Sequence, residues 1–382
     1  MDPPLISFFL PNLGGGGVLR SVVNLAQGCI DQGFKVDILV NRAVGPFLEE
    51  VPSQVRVVDL KDPRLRQSIS VVANYLRQEQ PYGLISNMHY NDEIALLARH
   101  FSGVSTKIVV VNKNHPRNRR KKPSIGEFVV KPMYWLGFAP NRPTTLMRLL
   151  YPRADGIVAI SQGVAENVAR VTGLPMNQIR VVYNPVITPE LKQKAQEPID
   201  HSWFKPGEPP IILGVGRLTG QKDFPTLIHA FAHVRQQQRV RLLILGSGPD
   251  REALEDLVRA LDLEEDVSMP GYVNNPYAYM AKSSVFVLSS IWEGLGNVLI
   301  EAMAAGVPVV STDCESGPAE ILDQDRYGSL VPVGDAQAMS DAILRTINGK
   351  NKEVDSAWLH QFSLEAATQQ YLDLIGLGKT AR

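Results

Sequence analysis

A strand, a turn, a helix and a second strand follow one another closely in the second half of the chain. An apolar run, Val285–Leu288, leads into two serines and a turn that contains Gly294 and Gly296. The pattern then predicts a helix over residues 297–305, ended by a glycine and a proline. A second apolar run, Val309–Ser311, completes the unit. Because a helix between two strands makes a parallel crossover, this stretch predicts a parallel α/β sheet.

Two carboxylates flank this turn and helix, Glu293 before the helix and Glu301 within it. Backbone N–H groups at a helix start carry partial positive charge and suit a phosphate group. The glycines of the turn let a ligand approach the backbone closely. Carboxylates on both sides of such a site can accept hydrogen bonds from ribose or sugar hydroxyls. From these residues alone, an ordinary crossover with two solvent-facing glutamates remains an alternative.

Size and composition indicate a protein of two domains in a reducing compartment. A chain of 382 residues with 44% hydrophobic residues is long enough to form two buried cores. The formal net charge of zero gives no general attraction to nucleic acid. The two cysteines, Cys29 and Cys314, do not make a disulfide framework. Without a signal peptide or a long apolar run, we expect a cytoplasmic protein.

The first half alternates apolar strands with amphipathic helices, which predicts a mostly parallel sheet. Strands are predicted at Leu5–Leu10, Lys35–Val40, Val55–Asp59, Gly83–Asn87, Lys107–Asn112, Gly156–Ile160 and Ile179–Val182. Helices are predicted near Leu65–Glu79, Glu93–Phe101 and Gln162–Thr172.

The glycine run Gly14–Gly17 follows the first strand, but its spacing fits neither a dinucleotide fingerprint nor a Walker loop. It is therefore either a flexible turn or a loop that approaches phosphates.

His115 lies just beyond the strand Lys107–Asn112. Ligands of open α/β sheets bind beyond the carboxyl ends of strands, so this position suits a ligand contact. A structural role is the alternative for a single histidine.

Residues 113–148 carry nine cations and one acid, Glu127, with aromatic side chains between them. A solvated basic loop followed by a core helix would explain this composition. A membrane-surface element would explain it too, because cations bind anionic headgroups while aromatic rings lie at the interface. The segment carries no nucleic-acid motif, and we expect no nucleic-acid partner. The prediction is a peripheral contact with the inner face of the membrane.

A second pair of charged residues, Arg217 and Lys222, lies in a loop between a predicted strand and a predicted helix. An arginine fork and a flexible lysine can together hold a diphosphate and neutralise its charge as it leaves. Two unrelated surface cations are the alternative.

On the following helix, His229 and His233 lie four residues apart, but they lack the H-E-x-x-H pattern and a third ligand. We therefore predict no metal site there.

In combination, these motifs resemble the retaining glycosyltransferases of family 4. Glu293 and Glu301 occupy the two glutamate places of that family's E-x7-E signature, and Arg217 and Lys222 resemble its phosphate-binding pair. The turn Gly246–Pro249 looks like a further family element near the nucleotide. The resemblance extends over nearly the whole chain.

The resemblance implies an α/β fold of the GT-B class, with two Rossmann-like doubly wound domains facing each other across a cleft. It divides the chain into an acceptor-binding domain, a linker, a nucleotide-sugar-binding domain and a helix that crosses back to the first domain. These parts are predicted at residues 1–186, 187–209, 210–360 and 361–382.

The implied activity is hexosyl transfer, with retention, from a nucleotide-diphosphate sugar to an acceptor. The donor is expected to be a UDP-sugar, and the acceptor a lipid-linked saccharide in polysaccharide or glycolipid assembly. With a cationic pair and no D-x-D-like cluster, we expect neither a metal nor a cofactor. A nucleotide-sugar epimerase of the same fold and a non-catalytic nucleotide-sugar-binding subunit remain alternatives.

The resemblance also implies roles for single residues. Glu301 would accept hydrogen bonds from the ribose, and His115 would contact the donor sugar or handle a proton. The predicted catalytic residues are Glu293, His115, Arg217 and Lys222. The predicted substrate-binding residues are Gly16, Gly17, Arg217, Lys222, Gly246, Gly294, Leu295, Gly296, Asn297 and Glu301.

Overall fold

The computed structural model describes residues 2–14, 16–61, 65–113 and 145–378. The chain divides into two compact units. The first contains the chain up to Pro185 together with the segment from Leu364 onward, and the second is Val186–Ser363. Each unit is built on one parallel sheet with helices.

The strands are numbered in chain order. Those of the first sheet are β1 (Leu5–Leu10), β2 (Lys35–Val40), β3 (Arg56–Asp59), β4 (Gly83–Asn87), β5 (Lys107–Asn112), β6 (Gly156–Ala159) and β7 (Ile179–Val181). Those of the second sheet are β8 (Ile211–Val215), β9 (Arg241–Leu245), β10 (Val267–Gly271), β11 (Val285–Leu288), β12 (Val309–Thr312) and β13 (Ser329–Val331).

The helices of the first unit are α1 (Gly17–Asp31), α2 (Leu65–Glu79), α3 (His89–Ser102), α4 (Thr145–Leu150) and α5 (Gln162–Thr172). Those of the second unit are α6 (Pro189–Lys194), α7 (Phe224–Gln237), α8 (Arg251–Ala260), α9 (Pro276–Lys282), α10 (Asn297–Ala304), α11 (Pro318–Ile321), α12 (Ala336–Ile347) and α13 (Ser356–Leu359). The last helix, α14 (Leu364–Ile375), returns to the first unit.

Both sheets are doubly wound. Their strand orders are β3-β2-β1-β4-β5-β6-β7 and β10-β9-β8-β11-β12-β13, with every neighbouring pair parallel. The order reverses between β1 and β4 in the first sheet and between β8 and β11 in the second. Ligands of such sheets bind in the crevice beyond the carboxyl ends of the strands at this reversal.

The apolar strand runs in the sequence reflect burial on both faces of each sheet. Parallel strands covered by helices on both faces read as continuous hydrophobic segments rather than as alternating ones. In the second unit, Leu242 and Ile244 of β9 belong to a core that also contains Phe231 of α7 and Ile343 of α12. All four side chains are fully buried.

Helix α14 packs closely on the first unit because small residues face it. A Cβ added at Gly28 of α1 would lie 2.2 Å from Thr368 Oγ1, and one added at Gly83 of β4 would lie 3.0 Å from the side chain of Ile375. A Cβ added at Gly156 of β6 would lie 3.3 Å from Leu374. The absence of side chains at these three positions allows the close approach of α14.

Two segments differ from the sequence prediction by more than one residue. Helix α3 begins at His89, four residues before the predicted start at Glu93, because its first turn is polar and shows no apolar periodicity, although Asn91 and Asp92 are buried. The predicted linker, residues 187–209, contains α6 and belongs to the second unit. Leu191 of α6 is buried, and the side chain of Asn275 donates a hydrogen bond to the backbone oxygen of Lys194 over 2.9 Å.

We predict that Gly28→Ala destabilises the protein. A glycine-to-alanine change in a helix is usually stabilising by about 0.5–1 kcal/mol. Here the new methyl group would overlap Thr368, and overpacking of this kind costs about 1–3 kcal/mol. Urea unfolding of the single variant and of Gly28→Ala with Thr368→Ala measures the effect. The double variant should recover part of the loss, and an equal loss in both would contradict the proposed contact.

Candidate functional site

The carboxyl ends of β8 and β11 lie side by side at the reversal of the second sheet. The two strands pair at Ile212 with Val285 and at Leu213 with Phe286. The loop after β8 carries Lys222, and the loop after β11 carries Glu293. Lys222 Nζ lies 2.6 Å from Glu293 Oε1, so the structure brings two of the predicted site residues into an ion pair.

The ion pair is mostly removed from solvent. The side chains of Lys222 and Glu293 are 16% and 9% exposed. The hydroxyl of Ser290 donates a second hydrogen bond to the same carboxylate oxygen over 2.7 Å. Glu293 is therefore held from two sides, and its orientation is fixed before any ligand arrives.

Further hydrogen bonds join the two loops. The hydroxyl of Ser289 donates to the backbone oxygen of Lys222 over 2.6 Å. The side-chain amide of Gln221 donates to the backbone oxygen of Trp292 over 2.9 Å. The hydroxyl of Thr312, at the end of β12, donates to the backbone oxygen of Ser290 over 2.6 Å. The two loops therefore behave as one connected platform.

Sequence reasoning did not identify these supporting residues. Ser289, Ser290 and Thr312 all lie at the end of a strand or directly after one, where short polar side chains bond to nearby backbone groups. Short polar residues at the ends of predicted strands could therefore have been selected from the sequence as candidate supporting residues.

Glycines let the loops of this platform approach each other. A Cβ added at Gly216 would lie 3.1 Å from Lys222 Cε, so the lysine side chain passes over the space that a side chain would fill. Gly246 has φ +141°, and a Cβ there would lie 1.9 Å from the backbone oxygen of Gly216. Gly246 therefore requires glycine for packing, whereas a side chain at Gly216 would displace the lysine stem. Gly246 was predicted to bind substrate, and that role stays a prediction.

Helix α10 begins next to the ion pair. Gly296 caps its N-terminus with φ +98°, a left-handed conformation that glycine adopts without strain. The first turn contains no acidic residue, so the positive end of the helix is not neutralised there. Glu301 lies one turn further along and is half-buried. The turn Gly294–Asn297 thus presents a helix N-terminus beside Glu293, an arrangement suited to an anion that also carries hydroxyls.

The two predicted cations of the site differ in their surroundings. Lys222 is paired, whereas Arg217 is exposed and has no ion-pair or hydrogen-bond partner for its side chain within the described part of the chain. An exposed guanidinium at this edge is available to an incoming anion.

Cys314 lies near the ion pair and was not predicted to take part in the site. Burial, together with the negative charge of Glu293, raises the pKa of its thiol to about 12. Cys314 is thus a neutral, unreactive side chain at neutral pH.

Other predicted residues lie elsewhere. Gly16 caps the N-terminus of α1 in the first unit with φ +96°, and Gly17 is the first residue of that helix. His229 and His233 are exposed on α7. In the part of the chain that the structure describes, no group of three His, Cys, Asp or Glu side chains could hold a metal ion. His115 lies outside the described residues, as does most of the segment 113–148.

The chain matches two family profiles and several curated proteins. The profile described as Glycosyl transferases group 1 matches residues 195–357, and the one described as Glycosyltransferase Family 4 matches residues 15–189. A Campylobacter jejuni protein named N-acetylgalactosamine-N,N'-diacetylbacillosaminyl-diphospho-undecaprenol 4-alpha-N-acetylgalactosaminyltransferase is 32% identical, over 87% of each chain. The chain belongs to the group 1, family 4 glycosyltransferases. LpsE of Rhizobium meliloti, a lipopolysaccharide core biosynthesis glycosyltransferase, is 33% identical over 60% of this chain and 66% of its own.

Solved structures show the fold of this glycosyltransferase. The apo form of the lipopolysaccharide outer core galactosyltransferase WaaB aligns with a TM-score of 0.70 at 21% identity, over 97% of this chain and 99% of its own. Anabaena HepE in complex with UDP and glucose aligns with a TM-score of 0.72 at 18% identity, over 96% and 98%. With the two doubly wound sheets, these matches confirm the predicted two-domain, Rossmann-like GT-B fold.

We predict that Lys222→Met destabilises the glycosyltransferase by about 1–3 kcal/mol, because it leaves the carboxylate of Glu293 buried without its cation. Lys194→Met is the matched control, since Lys194 pairs with Glu190 on the surface of the same unit and such pairs contribute about 0–1 kcal/mol. Urea unfolding measures both variants. Adding Glu293→Gln to Lys222→Met should restore part of the loss. Equal effects of the two lysine substitutions would contradict this account of the ion pair.

Proposed function

We propose that this glycosyltransferase transfers a hexosyl unit, with retention of anomeric configuration, from a nucleotide-diphosphate sugar to a lipid-linked saccharide. The observation that carries the proposal is the Lys222–Glu293 ion pair at the reversal of the second sheet, with the exposed Arg217 on the same loop as Lys222. A diphosphate needs cations, and a sugar needs an oriented hydrogen-bond acceptor. This platform provides both.

Each residue of the platform has a distinct role in the proposal. Arg217 and Lys222 hold the diphosphate and stabilise its negative charge as it leaves. Backbone N–H groups of Gly294–Asn297 contribute to the same phosphate site. Glu293, fixed by Ser290, accepts hydrogen bonds from donor-sugar hydroxyls, and Glu301 accepts them from the ribose. Gly16, Gly17 and Gly246 would allow the substrates to approach the backbone.

The proposed reaction takes place on one face of the sugar. The bond between the anomeric carbon and the diphosphate oxygen breaks, and the acceptor hydroxyl oxygen bonds to that carbon from the same side. The acceptor proton passes to the departing phosphate oxygen. His115 is the proposed hydrogen-bonding partner for the donor sugar. With two cations to balance the leaving group, the proposed reaction requires neither a metal nor a cofactor.

The lipid-linked acceptor is proposed from the relatives and from the sequence. The Campylobacter jejuni relative is named for an acceptor attached to diphospho-undecaprenol, and the Rhizobium meliloti relative for lipopolysaccharide core biosynthesis. Among the described residues, no helix is both long enough and apolar enough to cross a bilayer. The basic and aromatic segment 113–148 would then bring the enzyme to the inner face of the membrane as a peripheral protein.

The two alternative functions, a nucleotide-sugar epimerase and a non-catalytic nucleotide-sugar-binding subunit, are not favoured, because the named relatives are transferases.

We expect Arg217→Ala and Lys222→Ala each to lower kcat by about 10²–10³-fold, a loss typical of removing a group that stabilises developing charge. Arg239→Ala, which removes an exposed cation of the same unit outside the site, is the matched control. The measurements are thermal stabilisation by a panel of UDP- and GDP-sugars and the slow release of nucleotide. The preferred donor should stabilise the wild type and the control. Wild-type activity in both site variants would rule out the diphosphate clamp.

We also expect the enzyme to sediment with vesicles that contain anionic phospholipid and not with neutral ones. Each cation near an anionic surface contributes about 1 kcal/mol of binding. A variant with serine at four neighbouring cations should lose this binding; these are Arg119, Arg120, Lys121 and Lys122. The control replaces four exposed cations elsewhere with serine; these are Arg180, Lys192, Lys205 and Arg239. Equal sedimentation with both vesicle types, or with neither, would contradict the membrane contact.

A further inference from the structure

Two adjacent serines, Ser289 and Ser290, follow β11 directly, and both are buried. Their hydroxyls donate to different partners. Ser289 donates to the backbone oxygen of Lys222, on the loop after β8, whereas Ser290 donates to the carboxylate of Glu293, on its own loop. One serine therefore supports the cation of the ion pair, and the other supports the anion.

The hydrogen bond of Ser289 acts on the backbone of the lysine. It spans 2.6 Å and joins residues that lie 67 positions apart in the sequence. The backbone N–H of Ile291 donates to the backbone oxygen of Gln221 over 2.9 Å and holds the same two loops together. A lysine side chain is long and flexible, so the position of its backbone determines where its ammonium group can reach. Ser289 thus controls the reach of Lys222 without contacting the carboxylate of Glu293.

The hydrogen bond of Ser290 acts on the carboxylate itself. The Ser290 hydroxyl and the ammonium group of Lys222 both end on Glu293 Oε1, over 2.7 Å and 2.6 Å. Rotation of the carboxylate about its last bond would break both contacts. The buried hydroxyl of Thr312 donates to the backbone oxygen of Ser290 over 2.6 Å. Two hydrogen bonds therefore connect the end of β12 to the carboxylate of Glu293.

The two partners of Glu293 respond differently to a diphosphate. An ammonium group is attracted by the phosphate charges and shares its hydrogen bonds with them, which weakens its contact with the carboxylate. A buried carboxylate still needs a donor, and a hydroxyl that donates to a charged group makes a comparatively strong hydrogen bond. The Ser290 hydroxyl is neutral, buried and three residues from Glu293, so it keeps its contact when Lys222 turns to the ligand.

We propose that the two serines divide the donor between them. Ser289 positions Lys222 for the diphosphate, and Ser290 positions Glu293 for the sugar. This inference rests on the proposed function and deepens it, because it states how the site distinguishes the intact donor from the nucleoside diphosphate that remains after transfer. Only the donor carries the sugar, so Ser290 favours the donor over that product. The diphosphate is common to both ligands, so Ser289 affects them equally.

The test compares Ser289→Ala and Ser290→Ala in the full-length protein. Isothermal titration calorimetry measures the Kd of UDP and of four UDP-sugars, which carry glucose, galactose, N-acetylglucosamine and N-acetylgalactosamine, and the Kd of GDP and of GDP-mannose. The quantity compared is the affinity for the nucleotide sugar divided by the affinity for its nucleoside diphosphate. A substitution that merely disturbs the loop would weaken both ligands and leave this ratio unchanged.

Ser340→Ala is the matched control. Ser340 is a buried serine of the same unit whose hydroxyl donates to the backbone oxygen of Gln337, and it lies within α12, outside the platform. This variant should bind both kinds of ligand as the wild type does.

Ser290→Ala should lower the ratio about tenfold, the effect of losing one hydrogen bond to a charged group, with little change in the affinity for the nucleoside diphosphate. Ser289→Ala should weaken both ligands by the same factor and leave the ratio unchanged. Thr312→Val removes the hydroxyl that holds the backbone of Ser290 and should lower the ratio in the same direction. This third variant decides the question if Ser290→Ala does not fold.

An unchanged ratio in Ser290→Ala, or an equal fall of the ratio in both serine variants, would overturn the inference while leaving the proposed function intact. A wild type that binds none of these nucleotide sugars would instead contradict the proposed function, and the inference with it. The first failure appears only in the variants and the second already in the wild type, so the two are distinguishable.

Discussion

The parallel direction of every strand determines where chemistry can occur in this protein. Because all strands of a sheet run the same way, all of their carboxyl ends and the loops that follow them emerge at one edge. Neighbouring loops diverge only where the strand order reverses, and a crevice forms there. In the second unit this point holds Lys222 and Glu293.

The Lys222–Glu293 pair illustrates how such an edge is organised. Removing two opposite charges from water is costly, and attraction between them compensates only when the geometry is good and other hydrogen bonds are made. Here Ser290 supplies the additional hydrogen bond, and the absence of a side chain at Gly216 leaves room for the lysine stem. A pair held in this way does not have to reorganise when a ligand arrives, which is the condition for effective electrostatic stabilisation.

Most of the fold could be predicted from the sequence, whereas the contacts of the site could not. Continuous apolar runs located the strands because burial on both faces leaves little room for polar residues, and β1, β2, β4 and β11 have the predicted bounds. The start of α3 was wrong because His89–Asp92 are polar, and only tertiary structure shows that the helix includes them. The site residues were chosen by type and order. Their distances depend on strand pairing between distant segments, which a local pattern does not contain.

The return of α14 to the first unit has a consequence for synthesis of the chain. Residues 364–378 are made after the whole of the second unit, yet they cover Gly28 of α1, Gly83 of β4 and Gly156 of β6. The second unit is continuous in sequence, so all of its core residues are made before α14. The first unit, although most of it emerges earlier, keeps an uncovered apolar face until α14 has been made. Of the two units, the one that is made earlier therefore completes its native packing later, and its apolar face is exposed to aggregation for longer.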